Sequence, residues 1–114
     1  MALVVAVFDD LLLGSNVLGA LKAAGHEASL AGPSVEAVDA DVLVVDLGSE
    51  GFDGVELVER LRAGAALGEA RTLGVYSHVH HDVKLRAESA GFDLVVPRSR
   101  MAREGPVLVE RLVR

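Results

Sequence analysis

The sequence predicts an α/β domain: a five-stranded parallel sheet with helices on both faces. Three observations carry that prediction. Short β-branched runs alternate with segments of helical period, which is the pattern of βαβ units. Two of the runs, Leu3 to Phe8 and Val42 to Val45, are apolar throughout rather than alternating, as strands covered on both faces are. Both runs end in carboxylates, Asp9-Asp10 and Asp46, where a buried strand would emerge at the edge of the sheet.

Leu3 to Phe8 is the first strand. Ser15 to Ala24 follows as a helix, with Val17, Leu18 and Leu21 at helical spacing and Gly25 just beyond its end. Glu27 to Leu30, flanked by Gly25 and Gly32, reads as an edge strand. Ser34 to Ala40 has room for no more than one or two helical turns. After the third strand, Val42 to Val45, the segment Gly54 to Ala66 sets Val55, Val58, Leu61 and Ala65 on one face and Glu56, Glu59, Arg60 and Arg62 outward, an amphipathic helix. Thr72 to Tyr76 is the fourth strand, Asp82 to Ala90 a weaker helix with Val83, Ala87 and Ala90 inward, and Leu94 to Val96 the fifth strand. Pro106, close to the start of Val107 to Val113, suits the first turn of a last helix.

Right-handed crossovers make the flavodoxin-like strand order 2-1-3-4-5 the expected arrangement. In that order the first and third strands are neighbours. Asp9, Asp10 and Asp46 then meet at their carboxyl ends, at the topological switch where ligands bind in open α/β sheets. Like charges so close are costly unless a cation or a protonation change relieves them, so the cluster marks a site.

The 114 residues are expected to form a single domain, 1–114, with no internal repeat or linker. A hydrophobic share of 51% excludes a disordered segment, while no apolar stretch approaches the roughly 18 to 20 residues of a membrane span. The formal charge of −6 disfavours direct nucleic-acid binding. The absence of cysteine excludes disulfides and thiolate metal sites. Met1-Ala-Leu-Val-Val has no basic leader ahead of its apolar residues, and a cytoplasmic location is expected. Gly14-Ser-Asn-Val-Leu-Gly19 does not fit Gly-x-Gly-x-x-Gly, and neither a Walker A sequence nor a nucleophile elbow is present. His78-Val-His80-His81-Asp82 reads as a polar loop with a helix cap rather than as a zinc site.

The segment Asp46-Leu-Gly-Ser-Glu-Gly-Phe-Asp53-Gly54 resembles the phosphoacceptor loop of two-component response regulator receiver domains. Asp9-Asp10 resembles their acidic pair, Ser77 after Gly74-Val-Tyr occupies the place of their Ser or Thr switch, and Ala90-Gly91-Phe-Asp93 resembles the segment before their fifth strand. The resemblance spans essentially the whole chain. It implies a phosphoacceptor at Asp46, Mg²⁺ held by Asp9, Asp10 and Asp46, and a Ser77 hydroxyl that bonds a phosphoryl oxygen. Within that set Asp10 would be the direct ligand and Asp9 would act through water. The chemistry is coherent by itself, because a carboxylate can accept a phosphoryl group when a hard cation neutralises the oxygens.

The same resemblance shows departures. Where receivers carry a Lys followed by Pro, this chain reads Val96-Pro97-Arg98-Ser99. One register puts Arg98 at the Lys position and another puts Pro97 there; the ungapped one favours Arg98, whose planar fork differs from a compact ammonium. No aromatic stands on the fifth strand, Tyr76 reads as a packed core residue, His78 follows Ser77, and Glu50 replaces a loop Pro.

The expected function is a stand-alone receiver that takes a phosphoryl group from a histidine kinase or phosphotransfer protein. It would signal to an output protein, without nucleic acid or membrane, on the face of the fourth helix, fifth strand and fifth helix, which could also form a homodimer. The alternative is a pseudo-receiver, an interaction module independent of phosphorylation, favoured by Arg98, His78 and the missing aromatic and opposed by the acidic triad.

Overall fold

Aliphatic runs form the centre of the fold: β1 (Leu3–Val7), β2 (Glu27–Ala31), β3 (Val42–Asp46), β4 (Arg71–Tyr76) and β5 (Leu94–Pro97). The computed structural model describes residues 1–77 and 80–114. The strands pair in parallel in the order β2-β1-β3-β4-β5, which is the flavodoxin-like arrangement. Every residue of β3 is buried, as its uninterrupted apolar run requires of a strand covered on both faces.

Four helices flank the sheet among the described residues: α1 (Leu11–Ala23), α2 (Gly54–Ala63), α3 (His81–Ser89) and α4 (Arg98–Val113). Alternate strand residues feed two cores. Val4, Ala6, Val42, Val44, Leu73 and Val75 pack with Val17 and Leu21 of α1 and with Met101, Leu108 and Val109 of α4. Val7, Leu43 and Val45 pack on the other side with Val55, Leu57, Val58 and Leu61 of α2 and with Ala87 of α3. Tyr76 lies in this second core, 7% exposed, as a packing residue.

The strands begin and end within one residue of expectation, whereas the helices depart from it in instructive ways. Helix α1 starts at Leu11 rather than Ser15, because the Asp10 carboxylate accepts from the Leu12 and Leu13 amides and caps it. Helix α2 stops at Ala63 rather than Ala66: Gly64 caps it, and Ala65 turns to a φ of 54°. Residues 34–40 form no helix at all. Val35, Val38 and Ala40 pack against the α2 side of the core instead, and the Val38 amide donates to the Ala66 carbonyl at 2.8 Å, a bond that a helix would deny it.

The last helix is the largest correction. It begins at Arg98, directly after β5, and Pro106 lies inside it rather than in its first turn. Proline removes one helical hydrogen bond and restricts the residue before it. Here that residue is Gly105, which has no Cβ to clash. The fifth helix of the expected output face is therefore α4, and the fourth is α3.

Helix α3 is held differently from the rest. It buries only Ala87, and its N-cap His80 makes no side-chain cap bond. Two arginines tie it to α2: Arg86 Nη2 donates to Asp53 at 2.7 Å, and Arg62 donates to the Ala90 and Gly91 carbonyls at 2.8 and 3.0 Å. Among the described residues no helix is long and apolar enough to cross a membrane.

Candidate functional site

Asp46 is the last residue of β3, and its side chain is 1% exposed. Val7 pairs with Val45, so the residues after β1 and β3 emerge side by side where the chain switches direction in the sheet. Asp9 and Asp10 leave β1 there, both exposed. The result is an open cleft of about 300 Å³, lined by Asp9, Asp10, Asp46 and Arg98 with Gly48, Ser49 and Glu50 of the intervening loop.

Asp9, Asp10, Asp46 and Arg98 each have a hydrogen-bond partner. The Gly48 amide donates to Asp46 Oδ1 at 2.9 Å. Arg98 Nη2 donates to both carboxylate oxygens of Asp46, at 3.3 and 3.4 Å. Of the two residues that the sequence offered, Arg98 is thus the one that faces Asp46, while Pro97 ends β5. One guanidinium nitrogen serves both oxygens, so the contact is not the two-nitrogen fork an arginine can form. Arg98 Nε is buried without a partner among the described residues. Arg98 also opens α4, where a cation runs against the helix dipole. Its place there leans on Asp46.

Asp10 uses Oδ1 to cap α1, and Asp9 Oδ2 accepts from Ser49 Oγ at 2.7 Å. Ser49 Oγ in turn accepts from the Gly51 amide at 3.0 Å. A Cβ on Gly51 would collide with the Asp9 carboxylate, so glycine permits this close loop. Three carboxylates are the right donors for a hard cation. Their present positions do not gather them around one: among the described residues, no group of three or more His, Asp or Glu is placed to hold a metal ion.

Ser77 directly follows β4, half-buried, and its carbonyl accepts from the His80 amide at 2.8 Å. Its backbone lies close to Gly48, but Ser77 does not line the acidic cleft. His80 and His81 are exposed at the start of α3. His78, which follows Ser77 in the sequence, lies outside the described residues.

The loop closes on Asp53, which caps α2 by accepting from the Val55 and Glu56 amides at 3.0 and 3.1 Å. A Cβ on Gly54 would stand 2.7 Å from Val45 Cγ1 and 2.8 Å from the Asp46 carbonyl, so only glycine lets α2 start against the backbone of Asp46. Burial alone would raise the Asp53 pKa. The Arg86 hydrogen bond, the Glu56 and Val55 amides and the positive charge of Arg86 outweigh it and hold the carboxyl below its ordinary value. Asp53 also supports Arg86 in its charged form, raising the Arg86 pKa despite some desolvation.

Sequence reasoning brought together Asp9, Asp10, Asp46 and Arg98. It passed over Ser49, Gly51 and the Asp53–Arg86 pair. Gly48 and Gly51, bracketing a Ser-Glu pair beside the acidic residue, were the available sign that backbone and side chains meet closely here.

These features define a class: the fold is that of response regulator receiver domains. The crystal structure of FixJ-N superposes with a TM-score of 0.86 at 19% identity, covering 99% of this chain and 94% of that one. The Francisella response regulator 1452 receiver domain gives 0.84 at 17% identity, with 99% and 97% covered. The Vibrio cholerae chemotaxis protein CheY4 gives 0.82 at 19%, with 98% of each chain covered. Sequence comparison finds no matching family model and no matching curated protein. At such identities the likeness establishes the fold, and the function rests on the site.

Proposed function

We propose that the chain is a receiver-type signalling module of two-component pathways, which accepts a phosphoryl group on Asp46 from a histidine kinase or phosphotransfer protein. It is a signalling domain rather than a metabolic enzyme. The observation that carries the reading is the buried Asp46 carboxylate at the end of β3, faced by Arg98 and opening into a cleft with Asp9 and Asp10. In the transfer an Asp46 oxygen attacks phosphorus, the donor's P–N bond breaks, and the leaving imidazole nitrogen takes a proton. Arg98 would turn from the carboxylate to the phosphoryl oxygens, and the Ser77 hydroxyl would reach one of them. Mg²⁺ is the cation that Asp9, Asp10 and Asp46 would take in this reading, after Asp9 is released by Ser49. The output face would be α3, β5 and α4, where Leu85 stands 58% exposed, and it would serve a partner protein or a second copy.

Acetyl phosphate with Mg²⁺ tests the reading. Rapid intact-mass measurement is expected to show one added phosphoryl group on the wild-type chain and none on Asp46→Asn. A wild-type chain that never gains the mass, and never binds beryllofluoride, sinks the phosphoacceptor.

Two observations favour a second reading. Arg98 already neutralises Asp46, and the acidic residues are not gathered for a metal ion. A fixed pair of this kind would suit an interaction module that needs no phosphorylation, in which Asp46→Asn leaves partner binding unchanged.

A further inference from the structure

Arg98 brings a large, planar head to Asp46, and the space for it has a definite source. A Cβ built on Gly48 would stand 2.9 Å from Arg98 Nη2, 3.4 Å from Arg98 Cζ and 3.4 Å from the Ser77 amide nitrogen. The first distance is shorter than real Cβ contacts, so something must move. The neighbour that moves is the free end of the Arg98 side chain, since the Ser77 nitrogen is backbone and already stands at an ordinary contact distance. Gly48 is not in the left-handed region, so its lack of a side chain answers to space rather than to backbone conformation.

We infer that Gly48 is a positioning residue that decides which cation faces Asp46: its missing side chain leaves the place where the Arg98 guanidinium lies. Its amide performs a second task in the same spot, donating to Asp46 Oδ1 at 2.9 Å. Gly48 and Arg98 therefore act as a matched pair, and residue 48 sets whether an arginine can serve the carboxylate. The placement of Arg98 stands apart from phosphorylation. That this cation then meets a phosphoryl group rests on the proposed function.

Unfolding of wild type, Gly48→Ala, Arg98→Ala and the double variant in urea tests the pairing, together with guanidinium-selective ¹⁵N NMR. Gly48→Ala is expected to lower the folding equilibrium constant about tenfold or more in the wild-type background, because the displaced guanidinium leaves the buried Asp46 carboxylate. In the Arg98→Ala background it is expected to have almost no effect, because no guanidinium remains to displace. The Arg98 guanidinium signal, restrained in wild type and altered by Asp46→Asn, is expected to lose that restraint in Gly48→Ala. An equal loss of stability in both backgrounds, or a restrained signal that survives Gly48→Ala, overturns the inference. If Gly48→Ala alone does not fold, the double variant decides: it must fold as well as Arg98→Ala. Beryllofluoride binding is measured last on the wild type. Failure there and in the acetyl phosphate assay, with the pairing intact, defeats the phosphoacceptor reading and leaves the role of Gly48 standing.

Discussion

Asp46 and Asp53 stand at the two ends of one loop, and each faces an arginine from far along the chain. Arg86 approaches Asp53 to 2.7 Å, while Arg98 keeps 3.3 and 3.4 Å from the oxygens of Asp46. Distance alone ranks the Asp53 pair first. Burial reverses the order: Asp53 and Arg86 are 39% and 51% exposed, so water screens them and remains a ready substitute for either partner. Asp46 is 1% exposed, and without Arg98 its charge would depend on the Gly48 amide and whatever water the open cleft admits. A short surface pair adjusts a loop, whereas a longer buried one governs whether a charge can exist where it does.

Arg98→Ala gives the largest expected effect. It should destabilise the domain by about 3 kcal/mol, the low end for breaking a buried pair, because Arg98 is itself part-exposed. Arg86→Ala should cost at most about 1 kcal/mol. Denaturant unfolding of the two variants measures both values. If Arg98→Ala proves no worse than Arg86→Ala, the buried pair is no stronger a constraint than the surface one. Adding Asp46→Asn to Arg98→Ala should recover much of the loss, since the stranded charge goes with it.

Asp53→Ala comes next and separates two roles of one carboxylate. Oδ1 caps α2 and Oδ2 holds Arg86. Loss of a cap costs about 1 kcal/mol, so Asp53→Ala should exceed Arg86→Ala by about that much. A double-mutant cycle between them should return a coupling below about 1 kcal/mol. A larger coupling would mean that the pair holds α3 in place more firmly than its exposure implies.

The buried member of this comparison was legible in the sequence and the surface member was not. Asp46 could be found because a run of apolar residues ending in a carboxylate is a local signal, and the sheet order that places Asp9 and Asp10 beside it follows from alternation. Arg98 was legible through its spacing from Ala90-Gly91. Arg86 meets Asp53 only because α2 and α3 lie on the same face of the sheet, which no local pattern reports. Pro106 misled for a related reason: proline favours a first helical turn, but α4 is fixed by Met101, Leu108 and Val109 in the core and carries the proline along. Residues 34–40 were judged for helix length, while what decides them is Val35 and Val38 packing into the α2 side of the core.

The smallest expected effect is a pH dependence, and it belongs to the surface pair. Asp53 titrates below its ordinary value in the folded chain, because Arg86 and the α2 amides outweigh the effect of burial. A depressed folded value means that the ionised form binds α2 and Arg86 better than the protonated one does. The resulting stability is complete above the unfolded aspartate pKa of about 3.9 and disappears as the pH falls through the lower folded value. With Asp53 and Arg86 both well exposed, the change in stability is modest, and the sharper measurement is the carboxyl ¹³C titration of Asp53 by NMR. Arg86→Gln should move its midpoint upward, since burial then stands against the Val55 and Glu56 amides alone. A midpoint that stays where it was would assign the depression to the helix cap alone and reduce the Arg86 contact to a tether.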